Sequence, residues 1–230
     1  MIVSGHLLGA EINADFLDLV LQSLLGLSVL GWLGWLRFAG FNRPSQWRSL
    51  HLLWVPALLA LLYLLSLVVT PVASILAFLL AASYALLTAL SEEGNFRGVI
   101  LQALLPFGPL QGAALSGLFF GLIHLNNLWI LGPNPIVLSQ VVGAFFLGFG
   151  FAACRIRTNT IWPLILFHML YNLPSEIGIF NAQGAVVVHL TLTPLTAAIA
   201  FIVPGLILAC YGLFLLRSRP HSAGQMEIAG

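Results

Sequence analysis

The chain contains no lysine, and only 7% of its residues are charged. An ordinary soluble domain carries about a quarter, so a water-facing surface of the usual kind is excluded. Eight arginines against seven acids leave a weak net charge, which gives no reason to expect nucleic acid, whose binding needs a basic patch. There are two cysteines, Cys154 and Cys210, both in or beside apolar runs. A disulfide framework needs more of them at regular spacing, and both read as small buried hydrophobes. No HExxH zinc signature and no GxSxG nucleophile frame occurs. Internal repeats, linkers and low-complexity segments are also missing, so residues 1–230 read as one domain. The N-terminal MIVSGHLLGAEINADF lacks the basic region of a signal peptide, and the first long apolar run is expected to be retained as a helix.

What fills the chain instead is apolar: hydrophobic residues make up 60%, more than a soluble core of this size can hide. No charge stands between Arg48 and Glu92, between Arg97 and Arg155, or between Glu176 and Arg217. Each gap is long enough for a bilayer crossing of about 20 residues. The expected fold is therefore an all-α, polytopic transmembrane bundle of about 7–8 helices. The candidate spans are 16–36, 52–70, 72–91, 98–125, 136–154, 160–173 and 192–216. Pro71 would make a tight hairpin between the second and third. Pro106, Gly108 and Pro109 would break the fourth. Residues 126–135 and 174–184 read as loops. Arginines mark the cytoplasmic side of a membrane protein. Seven crossings with the N-terminus outside and the C-terminus cytoplasmic put Arg37, Arg43 and Arg48, then Arg155 and Arg157, then Arg217 and Arg219 on that side. Acidic Glu11, Asp15 and Asp18 precede the first span. The expected setting is an integral membrane protein of a prokaryotic inner or plasma membrane.

Ionisable groups inside apolar spans are costly and tend to be functional. Four places qualify: SEEGNFRG at 91–98, FGLIHLNN at 120–127, FHMLYN at 167–172, and His189 in an expected outer loop. Glu93 and Arg97 stand at i and i+4 on one helix face and can pair. Glu92 lies about 100° away around the helix, which leaves it free to act as a general base toward water. Phe120 and His124 are again i and i+4, and so are His168 and Asn172. Read singly, the first motif is an ordinary charged helix end, and the histidine and asparagine pairs are interhelical hydrogen-bonding residues. Together they describe a polar cavity among apolar helices. Two chemistries suit it. Glu92 can activate a water that attacks a peptide carbonyl, with His124 orienting that water and His168 and Asn172 donating to the developing oxyanion. Alternatively Glu92, His124 and His168 bind zinc with an open position. Ser91 and Ser116 are poor nucleophile candidates, because Ser116 lies two turns before His124 on the same helix, too far for a direct hydrogen bond.

In this order the three motifs resemble the CPBP family, also called Abi, which includes the type II CAAX prenyl endopeptidases and bacteriocin-processing or self-immunity proteins. The family pattern is Glu-Glu-x-x-x-Arg, Phe-x-x-x-His, then His-x-x-x-Asn or Asp. It is met by Glu92, Glu93 and Arg97, by Phe120 and His124, and by His168 and Asn172. The likeness covers approximately 88–175, the expected catalytic core. It implies a glutamate-type intramembrane endopeptidase acting on a membrane-embedded or lipidated protein, with Glu92 and His124 on the catalytic water and His168 and Asn172 as oxyanion hole. No cofactor is implied, zinc being the alternative. A non-catalytic immunity factor and a small proton-coupled transporter are the competing readings of the same residues.

One difficulty accompanies the span assignment. A crossing from 98 to 125 would put Glu92 and His124 at opposite ends of one helix, whereas a shared water requires both within about 3 Å. Either the third helix runs on past Arg97, or 98–110 is re-entrant. A long or broken third helix is the favoured expectation.

Overall fold

The computed structural model describes residues 14–65, 67, 72, 74–181 and 193–217. Glu11, Pro71, His189 and Arg219 lie outside them, as do residues 182–184 of the second expected loop.

The described chain is all helical, with seven principal helices. α1 is Ala14–Trp32. A 3-10 turn, Trp47–Leu53, leads into α2, Trp54–Leu65. α3 begins at Ile75, where the Ser74 hydroxyl caps the Ala77 N–H at 3.1 Å. α4 is Pro109–Ile123, α5 Pro135–Thr158, α6 Trp162–Asn181 and α7 Pro194–Arg217. Among the described residues, four helical stretches are long and apolar enough to cross a membrane: Trp47–Leu65, Ile75–Phe107, Pro135–Thr158 and Pro194–Arg217. Leucine, tryptophan and phenylalanine side chains stand exposed along their outer faces, as expected of helices solvated by lipid. The protein is an integral membrane protein.

Two expectations about the spans are corrected. There is no crossing from 98 to 125. The helix that carries Glu92 instead continues from Ile75 to Phe107, 33 residues, or about 50 Å of helix. It passes through a π-helical turn at Gly94–Ile100 and ends in a 3-10 turn at Leu105–Phe107. The break falls at Gly108, whose φ of 103° and ψ of 154° suit glycine alone. Pro109 then opens α4, a position where its missing N–H is not needed. The stretch expected as a loop at 174–184 is helical through Asn181, with Pro174 inside α6. Prolines are tolerated within membrane helices because neighbouring groups re-satisfy the freed backbone. Within 126–135, Asn127–Leu131 forms one short helical turn.

Half of the apolar window of α5 is buried, against 22–28% for the other three long stretches, so α5 is the central helix. It packs on α7 with the chains parallel. Gly143 faces Phe201 and Gly205, while Gly150 faces Leu208 and Gly212. A Cβ on Gly205 would lie 2.6 Å from the Gly143 carbonyl oxygen. Small residues allow this approach, which in lipid must come from packing. α4 runs antiparallel to α5: Gly117 meets Phe145 and Phe149, and Gly121 meets Val141. α6 runs antiparallel to α3, with Leu173 and Ile177 on Ala81 and Ile161 and Ile165 on Ala89.

Four of the arginines read as side markers, Arg37, Arg43, Arg155 and Arg157, gather at one end of this bundle. Arg155 has a further role there. Its guanidinium is buried and donates to the Phe38 carbonyl at 3.2 Å and to Asn159 Oδ1 at 2.9 Å. Ile161 N–H donates to the Gly40 carbonyl at 2.9 Å, and Thr160 Oγ1 to the Asn42 carbonyl at 2.7 Å. The non-helical segment after α1 is thereby clamped onto the α5–α6 turn, and it places buried Ala39 against Gly98 of the π turn.

Candidate active site

The long α3 and the turn at Gly108 form an antiparallel hairpin with α4. Phe96 and Phe120 rings meet at 5.2 Å, and Ser116 Oγ donates to the Phe96 carbonyl at 3.0 Å. Glu92 and His124 each stand sixteen residues from Gly108, on opposite arms. The hairpin therefore returns His124 to the depth of Glu92, and the difficulty raised by the 98–125 span disappears. Ser116 is occupied as a structural hydroxyl between the two arms.

The π turn begins directly after Glu93. Such turns add one residue per hydrogen-bonded ring and occur often at functional sites. Here the turn carries Phe96, Arg97 and Gly98 into the interior. The guanidinium of Arg97 is wholly buried and lies 2.9 Å from Glu93 Oε1, the pair expected from their spacing. It also sits over the Phe120 ring at 4.1 Å and near the Phe151 ring at 5.5 Å. A cation sandwiched this way keeps favourable electrostatics without water.

Glu93 Oε1 also accepts from His168 Nδ1 at 2.7 Å. A carboxylate can only accept, so Nδ1 carries the hydrogen. His168 Nε2 faces Glu92 Oε2 at 3.5 Å. Glu92 keeps a quarter of its side chain exposed, whereas Glu93 is fully buried. The two neighbouring glutamates thus have different surroundings: Glu93 is held between Arg97 and His168, and Glu92 is the accessible one.

His124 is half-buried at the C-terminal end of α4. Its Nδ1 bonds to the Phe120 carbonyl at 2.8 Å, and its ring packs edge-on to Phe120 at 5.1 Å. The carbonyl accepts, so Nδ1–H donates and Nε2 is the free acceptor. Phe120 is also 5.8 Å from the His168 ring, making it the hub between the two histidines and Arg97. Asn172 is half-buried one turn beyond His168 on α6. Among the described residues, neither His124 nor Asn172 makes a side-chain hydrogen bond or ion pair to the Glu92, Glu93 and His168 cluster. The structure thus joins Glu92, Glu93, Arg97 and His168 directly, and His124 through Phe120, while Asn172 is placed by helix register alone.

The zinc alternative requires Glu92, His124 and His168 to converge on one point. Both nitrogens of His168 already face carboxylates, and His124 stands apart on its own carbonyl. Among the described residues no group of three His, Cys, Asp or Glu side chains is arranged to hold a metal ion. As they stand, Glu92, His124 and His168 do not converge on one metal position.

Phe151 was not anticipated from the sequence. It approaches both Arg97 and His168, the latter at 6.3 Å between rings. A phenylalanine in an apolar helix carries no signal that sets it apart, and only the packing of α5 against α3 and α6 reveals it.

Residues 73–174 match the model of the family described as type II CAAX prenyl endopeptidase Rce1-like. This stretch contains all three motifs, and over it the chain is similar to that CAAX-type family. Comparison with curated proteins and with solved structures found no match for the chain.

Proposed function

We propose that the protein is an intramembrane endopeptidase that hydrolyses a peptide bond of a membrane-associated or lipidated protein, with water activated by Glu92. The observation that carries this reading is the division of labour between the two glutamates. Arg97 and His168 occupy Glu93, while Glu92 stays partly open beside His168 Nε2 at 3.5 Å.

In this mechanism Glu92 removes a proton from water as its oxygen attacks the scissile carbonyl. His124 Nε2, free because Nδ1 is engaged, accepts a hydrogen bond from the water's remaining O–H and orients the nucleophile. Negative charge then develops on the carbonyl oxygen. His168 Nε2, in its protonated form, and the Asn172 side-chain amide donate to it, the type of stabilisation that dominates many acyl transfers. With His168 protonated, Arg97, Glu93, His168 and Glu92 carry no net charge as a group, which suits a site removed from bulk water. The proton held by Glu92 passes to the leaving nitrogen as the C–N bond breaks. Arg97, Phe120 and Phe151 position the pair of Glu93 and His168 rather than touching the substrate.

The test is cleavage of an identified membrane substrate by the purified protein. Substrates can be found by comparing membrane-protein termini in cells carrying wild type or Glu92→Ala. Glu92→Gln, His124→Ala, His168→Ala and Asn172→Ala are each expected to lower turnover by 10²-fold or more, the scale of removing an acid–base group or an oxyanion donor. Retained cleavage by folded Glu92→Gln would overturn the mechanism.

A further inference from the structure

We infer that the arginine-rich end of the bundle holds the headgroup of an anionic glycerophospholipid, its phosphodiester on Arg37 and Arg43 and a headgroup hydroxyl on Asn42. An open cavity of about 710 Å³ lies there, lined by Arg37, Phe41, Asn42, Arg43, Asn159 and Trp162. Phe41 forms its inner wall, resting on the cluster of Ala89, Ile161 and Ile165 and facing Gly94.

Three observations identify the ligand. First, neither the Arg37 nor the Arg43 guanidinium has an ion-pair or hydrogen-bond partner among the described residues, and no acidic side chain lines the cavity. Paired guanidinium forks match phosphate oxygens. Second, Asn42 spends both amide hydrogens on the Arg43 and Asn159 carbonyls, at 2.7 and 3.0 Å. Its Oδ1 is buried without a partner, and a buried acceptor calls for a donor. A hydroxyl-bearing headgroup such as that of phosphatidylglycerol supplies one, whereas a choline headgroup has no donor and adds a positive charge. Third, the cavity opens where aromatic side chains stand out from the helix ends. Trp162 is 53% exposed and packs edge-on to Phe41, with Trp35 and Trp47 exposed on the adjoining segment. Tryptophans at helix ends mark headgroup depth. The clamp by Arg155 on Phe38 and Asn159 holds this pocket in shape without a ligand.

The experiment titrates the purified full chain with phosphatidylglycerol or phosphatidylcholine of matched acyl chains and counts bound lipid by native mass spectrometry. Wild type is expected to bind phosphatidylglycerol at least tenfold more tightly than phosphatidylcholine. A Lys or Arg near a membrane surface is worth about fivefold. Arg37→Gln and Arg43→Gln should therefore each weaken phosphatidylglycerol about fivefold and together about 25-fold, with phosphatidylcholine unchanged. The single variants decide the matter if the double variant exposes Cys154, a buried thiol that reports folding. Equal retention by the variants, or no preference between the lipids, overturns the proposal. Displacement by millimolar inorganic phosphate would assign the site to free phosphate. Displacement by a short peptide with a free C-terminal carboxylate, but not by its amide, would assign it to a peptide end. Either displacement overturns the lipid assignment.

Discussion

Replacing Arg97 by Met removes the only counter-charge that Glu93 has inside α3. Both side chains are 0% exposed, and they lie 2.9 Å apart. Glu93 Oε2 is already buried without a hydrogen bond, so His168 Nδ1, at 2.7 Å from Oε1, is all that remains to hold the carboxylate. Breaking a buried pair from one side costs about 3–5 kcal/mol, because the surviving charge stays desolvated. The cation over Phe120 at 4.1 Å is lost as well, a further contribution of about 1–2 kcal/mol. Even the lower figure is more than two powers of ten in the unfolding equilibrium, at about 1.36 kcal/mol per decade. Glu93→Gln on top of Arg97→Met removes the stranded charge and should recover most of that loss. Cleavage should not recover, since an amide in place of the Glu93 carboxylate no longer pairs with the doubly protonated His168 that the mechanism uses. The assay is the rate at which a thiol reagent reaches Cys154, which is buried, in a Cys210→Ser background that removes the exposed thiol. Arg97→Met should raise that rate at least a hundredfold, and the double variant should return to within about tenfold of wild type. The reasoning is refuted if Arg97→Met labels like wild type, or if the double variant is as labile as the single one.

Further outcomes follow from the same geometry. Gly205→Leu should separate α5 from α7, since even a Cβ meets the Gly143 carbonyl at 2.6 Å; overpacking of this kind costs about 1–3 kcal/mol, and the Cys154 labelling rate measures it. Gly108→Ala forces a φ of 103° on a residue with a side chain, a strain of about 1–3 kcal/mol; turnover should fall by more than stability alone explains, because the turn sets His124 against Glu92. Gly40→Ala places a Cβ 2.5 Å from Arg155 Nε, so it should loosen the clamped segment and speed proteolysis after α1 while leaving the α3–α4 hairpin protected in hydrogen exchange. Exhaustive chelation should leave cleavage intact, and activity lost on chelation and restored by zinc alone would reopen the metal chemistry.

Much of this protein was legible before any coordinates. Scarce charge and long apolar runs dictate a helical membrane bundle, because only helices and closed barrels satisfy the backbone in lipid. The i, i+4 spacing of Glu93 and Arg97 dictated their pairing, since the helix repeat puts them on one face. Motif order alone pointed to a family that the match over 73–174 bears out. Helix boundaries were less legible. Hydropathy cannot tell a helix that ends at residue 91 from one that continues to 107, as both sides are apolar and the charged patch between them imitates a loop. Pro174 imitated a helix end in the same way.

Tertiary structure alone decided the depth at which the polar groups meet. That depth comes from the length of α3 and the turn at Gly108, which set Glu92 and His124 equally far along two antiparallel arms. It also decided which glutamate is free. The sequence offers two adjacent, chemically identical side chains, and pairing by spacing favours Glu93 for Arg97. Only packing, with His168 of α6 bonded to Glu93 and Phe120 and Phe151 enclosing the guanidinium, buries one carboxylate completely and leaves its neighbour a quarter exposed.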